Sequence, residues 1–341
     1  MTGALRNFLL ATSITLIMPN VALSDDVNDF FRGVTLNVLT GSSPGSGYDN
    51  YGRVVGKYIV KYLPGSPTVV VRSMPTAAGL AQANFIYNQA PRDGSSFGIL
   101  MNNMTVEPLI GNSNARFDPS KFSWIGSANR LVNVCVAWHT KPVRTIEDLR
   151  AREWVTGGTA ARSSTVQQAN TFKFLGGAKL KVIPGYAGTT EMLLAMERGE
   201  LDIACGIGWD SVKSSTSFLT EGKIVPVMQL GAEKHPELPT VPFIYDMLLD
   251  QSKLPVLQFI TARLDIGRAF AGPPGIPPNR LAALRKAFMA VLQDKELLAE
   301  AKKLEMEIDA QSGEVIQEKV MKLAATPAAI IAEAEKVVIG P

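Results

Sequence analysis

From Val34 to Thr40 the chain reads Val-Thr-Leu-Asn-Val-Leu-Thr, an alternation of apolar and polar positions that predicts a strand. A short Gly/Ser stretch follows. Tyr51, Val54, Val55, Tyr58, Ile59 and Tyr62 then recur three and four apart, which predicts a helix until Pro64-Gly65 stops it. The unit repeats: a strand at Val69 to Val71, a helix through about Tyr87, a turn at Pro91-Arg92-Asp93-Gly94, and a third strand from Phe97 to Met101. Two β-rich pieces come next, Trp124 to Gly126 and Val132 to Trp138. Thr145-Ile-Glu-Asp148 then reads as a capping box that opens a helix.

The same grammar restarts in the second half. Trp154-Val155-Thr156 predicts a strand, Gly157 to Ser164 a small-residue loop, and Thr165 to Leu175 a helix ended by Gly176-Gly177. Leu180 to Ile183 is the next strand, and Pro184 to Thr190 leads into a helix that Gly199 stops before the strand Leu201 to Cys205. Ile224 to Gln229 reads as a strand, Gly231 to Pro242 as a Pro-rich irregular link, Asn279 as the start of a helix, and Asp294 to Val338 as largely helical. Strands alternating with helices predict parallel sheets covered on both faces, hence an α/β fold. At 341 residues there is room for two cores. The expected division is lobe 2 at 127–229 and a discontinuous lobe 1 at 25–126 plus 230–341, the chain returning to its first lobe.

Residues 1–24 read as a secretory signal peptide: Arg6, an apolar run from Phe8 to Met18, a break at Pro19-Asn20, then Ala22-Leu23-Ser24 with cleavage before Asp25. The apolar run is shorter than the roughly 20 residues of a spanning helix. Removing the leader lowers the formal charge of +3 by one. A near-neutral chain with no Lys/Arg cluster gives no electrostatic case for nucleic acid. Cys135 and Cys205 are the only cysteines, and both lie in apolar strand-like runs, a setting for buried free thiols. Export permits a disulfide, but sequence does not supply the Cα separation that one requires.

Chemistry concentrates in two stretches. Thr40 to Asp49 and Thr156 to Ser164 are both Gly/Ser loops between a strand and a helix. Small residues leave backbone N–H groups uncovered, and the helix that follows adds unpaired donors and the positive end of its dipole, so each loop suits an anion. Asp49 beside such a cradle is expected to stabilise the first helical turn rather than meet an anion. Arg162 could clamp a second carboxylate bidentately. Ser43 centres a Gly-x-Ser-x-Gly pattern, but Pro44 and the scarcity of histidines, His139 and His235 alone, disfavour a nucleophile elbow. No spacing of His, Cys or acidic residues suggests a metal, and no cofactor is expected.

Five motifs, in order, resemble those of the exported solute receptors of tripartite tricarboxylate transporters, the TctC or Bug family. They are Gly45-Ser46-Gly47-Tyr48-Asp49; Asn88 to Gly94; Gly185-Tyr186-Ala187-Gly188-Thr189 with Glu197 to Asp202; His235 to Pro242; and Ala271 to Pro277. The resemblance implies a two-lobed, type II periplasmic-binding-protein-like fold closing on a small organic carboxylate, mono- or dicarboxylate. The ligand-binding residues it implies are Ser43, Gly45, Ser46, Gly47, Tyr48 and Asp49 in the first loop. In the second they are Thr156, Gly157, Gly158, Thr159, Arg162, Ser163 and Ser164, and a third segment offers Tyr186, Gly188 and Thr189. A monomeric periplasmic receptor that delivers its ligand to integral membrane subunits is the expected function, with a secreted serine hydrolase or a sensory receptor of the same fold as alternatives.

The chain also departs from the family. Members often carry Arg-Pro-Gly-Ala-Gly-Gly where this chain has Met74-Pro75-Thr76-Ala77-Ala78-Gly79. Many place an Asp soon after the strand that here ends in Cys205, whereas Gly206-Ile207-Gly208 separates that strand from Trp209-Asp210.

Overall fold

The computed structural model describes residues 23–215 and 217–340, so residues 1–22 of the expected leader lie outside the described residues. The chain opens with α1 (Leu23–Phe31), β1 (Thr35–Thr40), α2 (Gly47–Ile59), β2 (Thr68–Ser73), α3 (Leu80–Asn88), β3 (Ser96–Ile99) and β4 (Ser123–Ser127). It continues with β5 (Asn133–Trp138), α4 (Ile146–Ala151), β6 (Trp154–Gly158), α5 (Ser164–Phe174), β7 (Leu180–Pro184), α6 (Thr189–Glu197), β8 (Ile203–Gly208), α7 (Trp209–Ser215) and β9 (Ile224–Leu230). It closes with α8 (Ile244–Met247), α9 (Leu254–Ile266), β10 (Ala269–Gly272), α10 (Pro278–Val291), α11 (Lys295–Lys303), β11 (Gln311–Ser312), α12 (Gly313–Ala324) and α13 (Ala328–Ile339).

Two sheets form, ordered β11-β4-β10-β3-β1-β2 and β7-β6-β8-β5-β9. β10 and β11 come from the last third of the chain and complete the first sheet. Both sheets are mixed, not wholly parallel as the alternation predicted. β1, β2 and β3 run parallel, as do β6, β7 and β8, but β10 is antiparallel to β3 and β4, and β5 is antiparallel to β8 and β9. The βαβ units require parallel pairs; β5 and β10 are entered from the other sheet or from α9, and no crossover constrains their direction.

Register gathers the functional edge. Thr40 pairs with Ser73 on one side and Ile99 on the other, so β1, β2 and β3 end together. Buried Gln82 of α3 fixes this edge by donating to the carbonyls of Leu39 and Ile99 at 2.8 and 3.0 Å. The loop after β1, the segment after β2 and the Asn102–Thr105 3-10 turn after β3 thus emerge side by side, at the carboxyl ends of strands where ligands of open α/β sheets bind.

The expected capping box is present, with Thr145 and Asp148 bonding reciprocally at the start of α4. The cysteines do not remain free: Cys135 and Cys205 form a disulfide, with Cα atoms 4.0 Å apart. They sit on the adjacent strands β5 and β8, where the register shifts between Val134 and Val136. Gly206, at φ +75°, absorbs that bulge, and a Cβ there would come to 2.6 Å of Thr165 Cα.

One apolar cluster packs α1, α2, α10 and α11 on the first sheet, and another packs α6 and α7 on the second. The largest is shared. It runs from Leu39, Ala83 and Trp124 through Cys135, Trp154 and Phe172 to Leu257, Ile260 and Val337, so α5, α9, α12 and α13 join the two sheets.

Candidate functional site

In the first loop Asp49 is fully buried and organises its own surroundings. Its carboxylate accepts from Thr40 Oγ1 (3.0 Å), the Gly45 N–H (2.9 Å) and Arg53 Nε (2.7 Å). It is therefore spent on the loop, and the Gly45 amide with it. Ser46 bonds Ser42 through its hydroxyl at 2.6 Å and makes no side-chain cap, which leaves the first-turn amides of α2, from Gly47 to Asp49, without a capping partner. Ser43 and Gly45 are exposed. Gly47 is in tight quarters: a Cβ there would lie 2.4 Å from Ser211 Oγ and 2.9 Å from an Arg268 nitrogen. The start of α2 is thus pressed against the start of α7, which packs on the other sheet.

The second loop is more self-contained. Ser163 caps α5, its hydroxyl accepting from the Ala160 N–H at 3.2 Å and the Val166 N–H at 3.5 Å, and the Thr159 N–H donates to Thr165 Oγ1 at 3.0 Å. Its amides are therefore less free than the sequence pattern suggested. Thr156, Gly157 and Gly158 are buried in β6, and the Tyr186 ring lies against Gly157. The Gly158 carbonyl accepts from the Gly185 and Tyr186 N–H groups at 2.9 and 3.1 Å. Gly188 and Thr189 open α6.

The loops meet at a residue that sequence reasoning missed. The Asn102 N–H donates to Tyr48 Oη at 3.1 Å, and its side-chain oxygen accepts from Ser164 Oγ at 3.4 Å. Ser164 in turn accepts from Gln168, whose other amide atom accepts from Asn133. A buried acid, Glu107, extends this seam. It accepts from Gln167 Nε2 (2.6 Å), Asn112 Nδ2 (2.7 Å), Asn103 Nδ2 (3.4 Å) and Arg162 Nε (3.4 Å). Arg162 also donates to the Ile110 carbonyl at 3.0 Å, so it reaches from the loop after β6 to the segment after β3 and is engaged there. Arg263 of α9, 1% exposed, donates through Nη1 to Gln167 Oε1. Asn102, Asn103 and Glu107 follow a β-rich run, and Gln167-Gln168 opens a helix buried on nearly every side. Polar residues inside otherwise apolar stretches were the available signal.

Tyr48 also borders a second contact, between the start of α7 and the turn before β10. Arg268 and Asp210, 2% and 4% exposed on their side chains, form a bidentate pair with Nε at 3.1 Å and Nη2 at 2.8 Å from the carboxylate. Tyr51 Oη lies 3.0 Å from Asp210 Oδ2, and the Ser211 N–H donates to Oδ1 at 2.7 Å. The guanidinium stacks over both Tyr48 and Tyr51, at 4.7 and 4.5 Å. Burial pushes the Asp210 carboxyl up, but Arg268 outweighs it and holds the group below the usual carboxylate range. Burial lifts the Tyr48 and Tyr51 phenols above their ordinary value. Asp210 is consequently saturated by the protein itself.

Neither histidine joins Ser43, whose hydroxyl has no hydrogen bond among the described residues. His235 Nδ1 accepts from the Glu237 N–H at 3.1 Å, and its Nε2 lies 3.2 Å from Glu307, an orientation that spends both ring nitrogens. His235, Glu237 and Glu307 lie close enough to share a metal ion. Lys213 Nζ, at 2.9 and 3.0 Å from the two acids, already supplies the positive charge. No described helix is long and apolar enough to cross a membrane.

No family model and no curated protein matches the chain. Solved structures do match. A TctC solute-binding protein from Polaromonas without ligand is 17% identical, with 88% of this chain and 98% of that one aligned at a TM-score of 0.63. An R. palustris protein with adipate is 20% identical over 90% and 98% of the chains, at 0.67. MatC from Rhodopseudomonas palustris with bound malate is 15% identical over 87% and 98%, at 0.66. The chain has the two-lobed α/β fold of these TctC-type solute-binding proteins.

Proposed function

We propose that the protein is an exported solute receptor of the TctC type, not an enzyme, that captures a small organic carboxylate between its lobes and passes it to membrane subunits of a transporter. The observation that carries this is the uncapped start of α2, with its first-turn amides pressed against the opposite lobe and its Tyr48 joined through Asn102 to the second loop. An anion there would gain from aligned N–H donors and from the helix dipole, and charge-assisted bonds of this kind are the stronger sort. Structures of the same fold with adipate and malate support a carboxylate as the guest. The neighbours' periplasmic setting supports export, as does the disulfide, a bond suited to oxidising compartments. The lobes would be 25–126 with 230–341, and 127–229, closing when both contact the ligand.

A thermal-shift screen of unfolded and refolded, ligand-stripped protein against mono-, di- and tricarboxylates tests this. A true ligand at about 100 times its dissociation constant adds roughly 2.7 kcal/mol. Absence of any shift across the panel, or ester turnover lost in Ser43→Ala, would discard the receptor reading.

A further inference from the structure

The buried seam holds one guanidinium that no carboxylate reaches by a hydrogen bond. Three guanidiniums, Arg162, Arg263 and Arg268, meet two carboxylates, Glu107 and Asp210. Arg268 is matched by Asp210, and Arg162 takes Glu107 and the Ile110 carbonyl. Arg263 has only Gln167 Oε1, a neutral acceptor, on Nη1; its Nε and Nη2 have no partner among the described residues. Such atoms are costly in an interior, because a buried donor without an acceptor bears its desolvation penalty. Burial accordingly pushes the Arg263 guanidinium down to about 10, against the pull of Glu107 and the Tyr48 phenol.

The identity of the two orphaned nitrogens matters. Nε and Nη2 form one edge of the planar guanidinium, the edge that takes both oxygens of a carboxylate. Arg268 uses that same edge on Asp210 in this molecule. Hydrogen bonds link Arg263 to the start of α2: Arg263 Nη1 to Gln167, Gln167 to Glu107, Asn103 to Glu107, and the adjoining Asn102 N–H to Tyr48, the second residue of α2.

We propose that Arg263 is a specificity-determining anchor, taking the far carboxylate of a short dicarboxylate whose near carboxylate lies on the amides of α2. This rests on the carboxylate-receptor reading above and adds the ligand's second charge and the residue that selects it. A monocarboxylate would leave the Arg263 edge unmatched, and a diacid would complete both ends.

The test is calorimetric titration of ligand-stripped wild type, Arg263→Met and Arg263→Lys with succinate, glutarate and adipate, each beside butyrate, valerate or hexanoate of the same carbon count. Wild type should bind its best diacid at least tenfold tighter than the matching monoacid. Arg263→Met should erase that preference while retaining monoacid binding, and Arg263→Lys should keep part of it. Without ligand, Arg263→Met should melt no lower than wild type, since it removes an unmatched buried charge. A purely structural arginine would instead melt lower as Met and leave the preference intact, which overturns the inference. Equal wild-type affinity for mono- and diacids overturns it too while sparing the receptor reading. If wild type binds none of the six acids, this inference falls, and the wider thermal-shift panel decides the receptor reading separately.

Discussion

Replacing Asp210 with Ala removes the partner of a guanidinium that has almost no access to water. Arg268 would lose its contacts at 2.8 to 3.1 Å and retain only Ser211 Oγ at 3.0 Å. The Ser211 N–H and Tyr51 Oη would each lose an acceptor, though Tyr51 keeps the Glu307 carbonyl at 2.7 Å. Breaking one half of a buried pair costs about 3–5 kcal/mol, a large share of the roughly 5–15 kcal/mol that holds a typical domain together. With about 2–3 kcal/mol per M urea, the unfolding midpoint should fall by roughly 1–2 M. The sign with pH follows from the depressed Asp210 pKa. Its contribution is complete above the unfolded carboxylate value of about 3.9 and is lost as pH falls through the folded value, so the gap between wild type and variant should narrow in acid. Replacing both partners, as Asp210→Leu with Arg268→Met, should cost far less than the single change. A single variant within 1 kcal/mol of wild type, or a gap unaffected by acid, would refute the claim that this pair braces the lobes.

Three further outcomes can be checked in the same apparatus. Cys205→Ser should lower stability by about 4 kcal/mol, the chain-entropy value for a bridge separating residues 70 apart, and reductant should do the same to wild type but not to the variant. Arg162→Ala should cost only about 1 kcal/mol, because Arg162 is a third exposed and Glu107 keeps its bonds to Gln167 and Asn112; urea titration measures it. Ala78→Gly should raise the melting temperature by relieving about 1 kcal/mol, since Ala77 and Ala78 both sit in the left-handed region, at φ +54° and +53°.

Local patterns in the sequence reveal the βαβ units well, because period-2 and period-3.6 alternation report directly on half-buried strands and helices. They miss α9. Its sequence, Leu-Pro-Val-Leu-Gln-Phe-Ile-Thr-Ala-Arg-Leu-Asp-Ile, is buried on most sides, so no polar face marks a helical period, and Arg263 within it resembles an ordinary surface arginine. The disulfide was equally hidden, because it depends on β5 and β8 becoming neighbours with a bulge in register. At the site, the Gly/Ser loops are visible as loops, but whether their amides remain free is decided by side chains. Asp49 consumes one amide of the first loop and Ser163 caps the second, while α2 stays uncapped. Asn102 and Glu107 meet the second loop only in three dimensions; as polar residues in an apolar stretch they stand out, but the sequence does not show what they bond.

The central claim is that a carboxylate lies on the opening turn of α2 between the lobes. Backbone amide NMR of the ligand-stripped protein, titrated with the tightest acid from the thermal screen, tests it most directly. The largest saturable shifts should fall on Gly47, Tyr48 and Asn102, with fading effects toward the outer strands β2 and β7. Saturable shifts confined to residues away from the lobe seam, with Gly47 and Tyr48 unmoved, would contradict it.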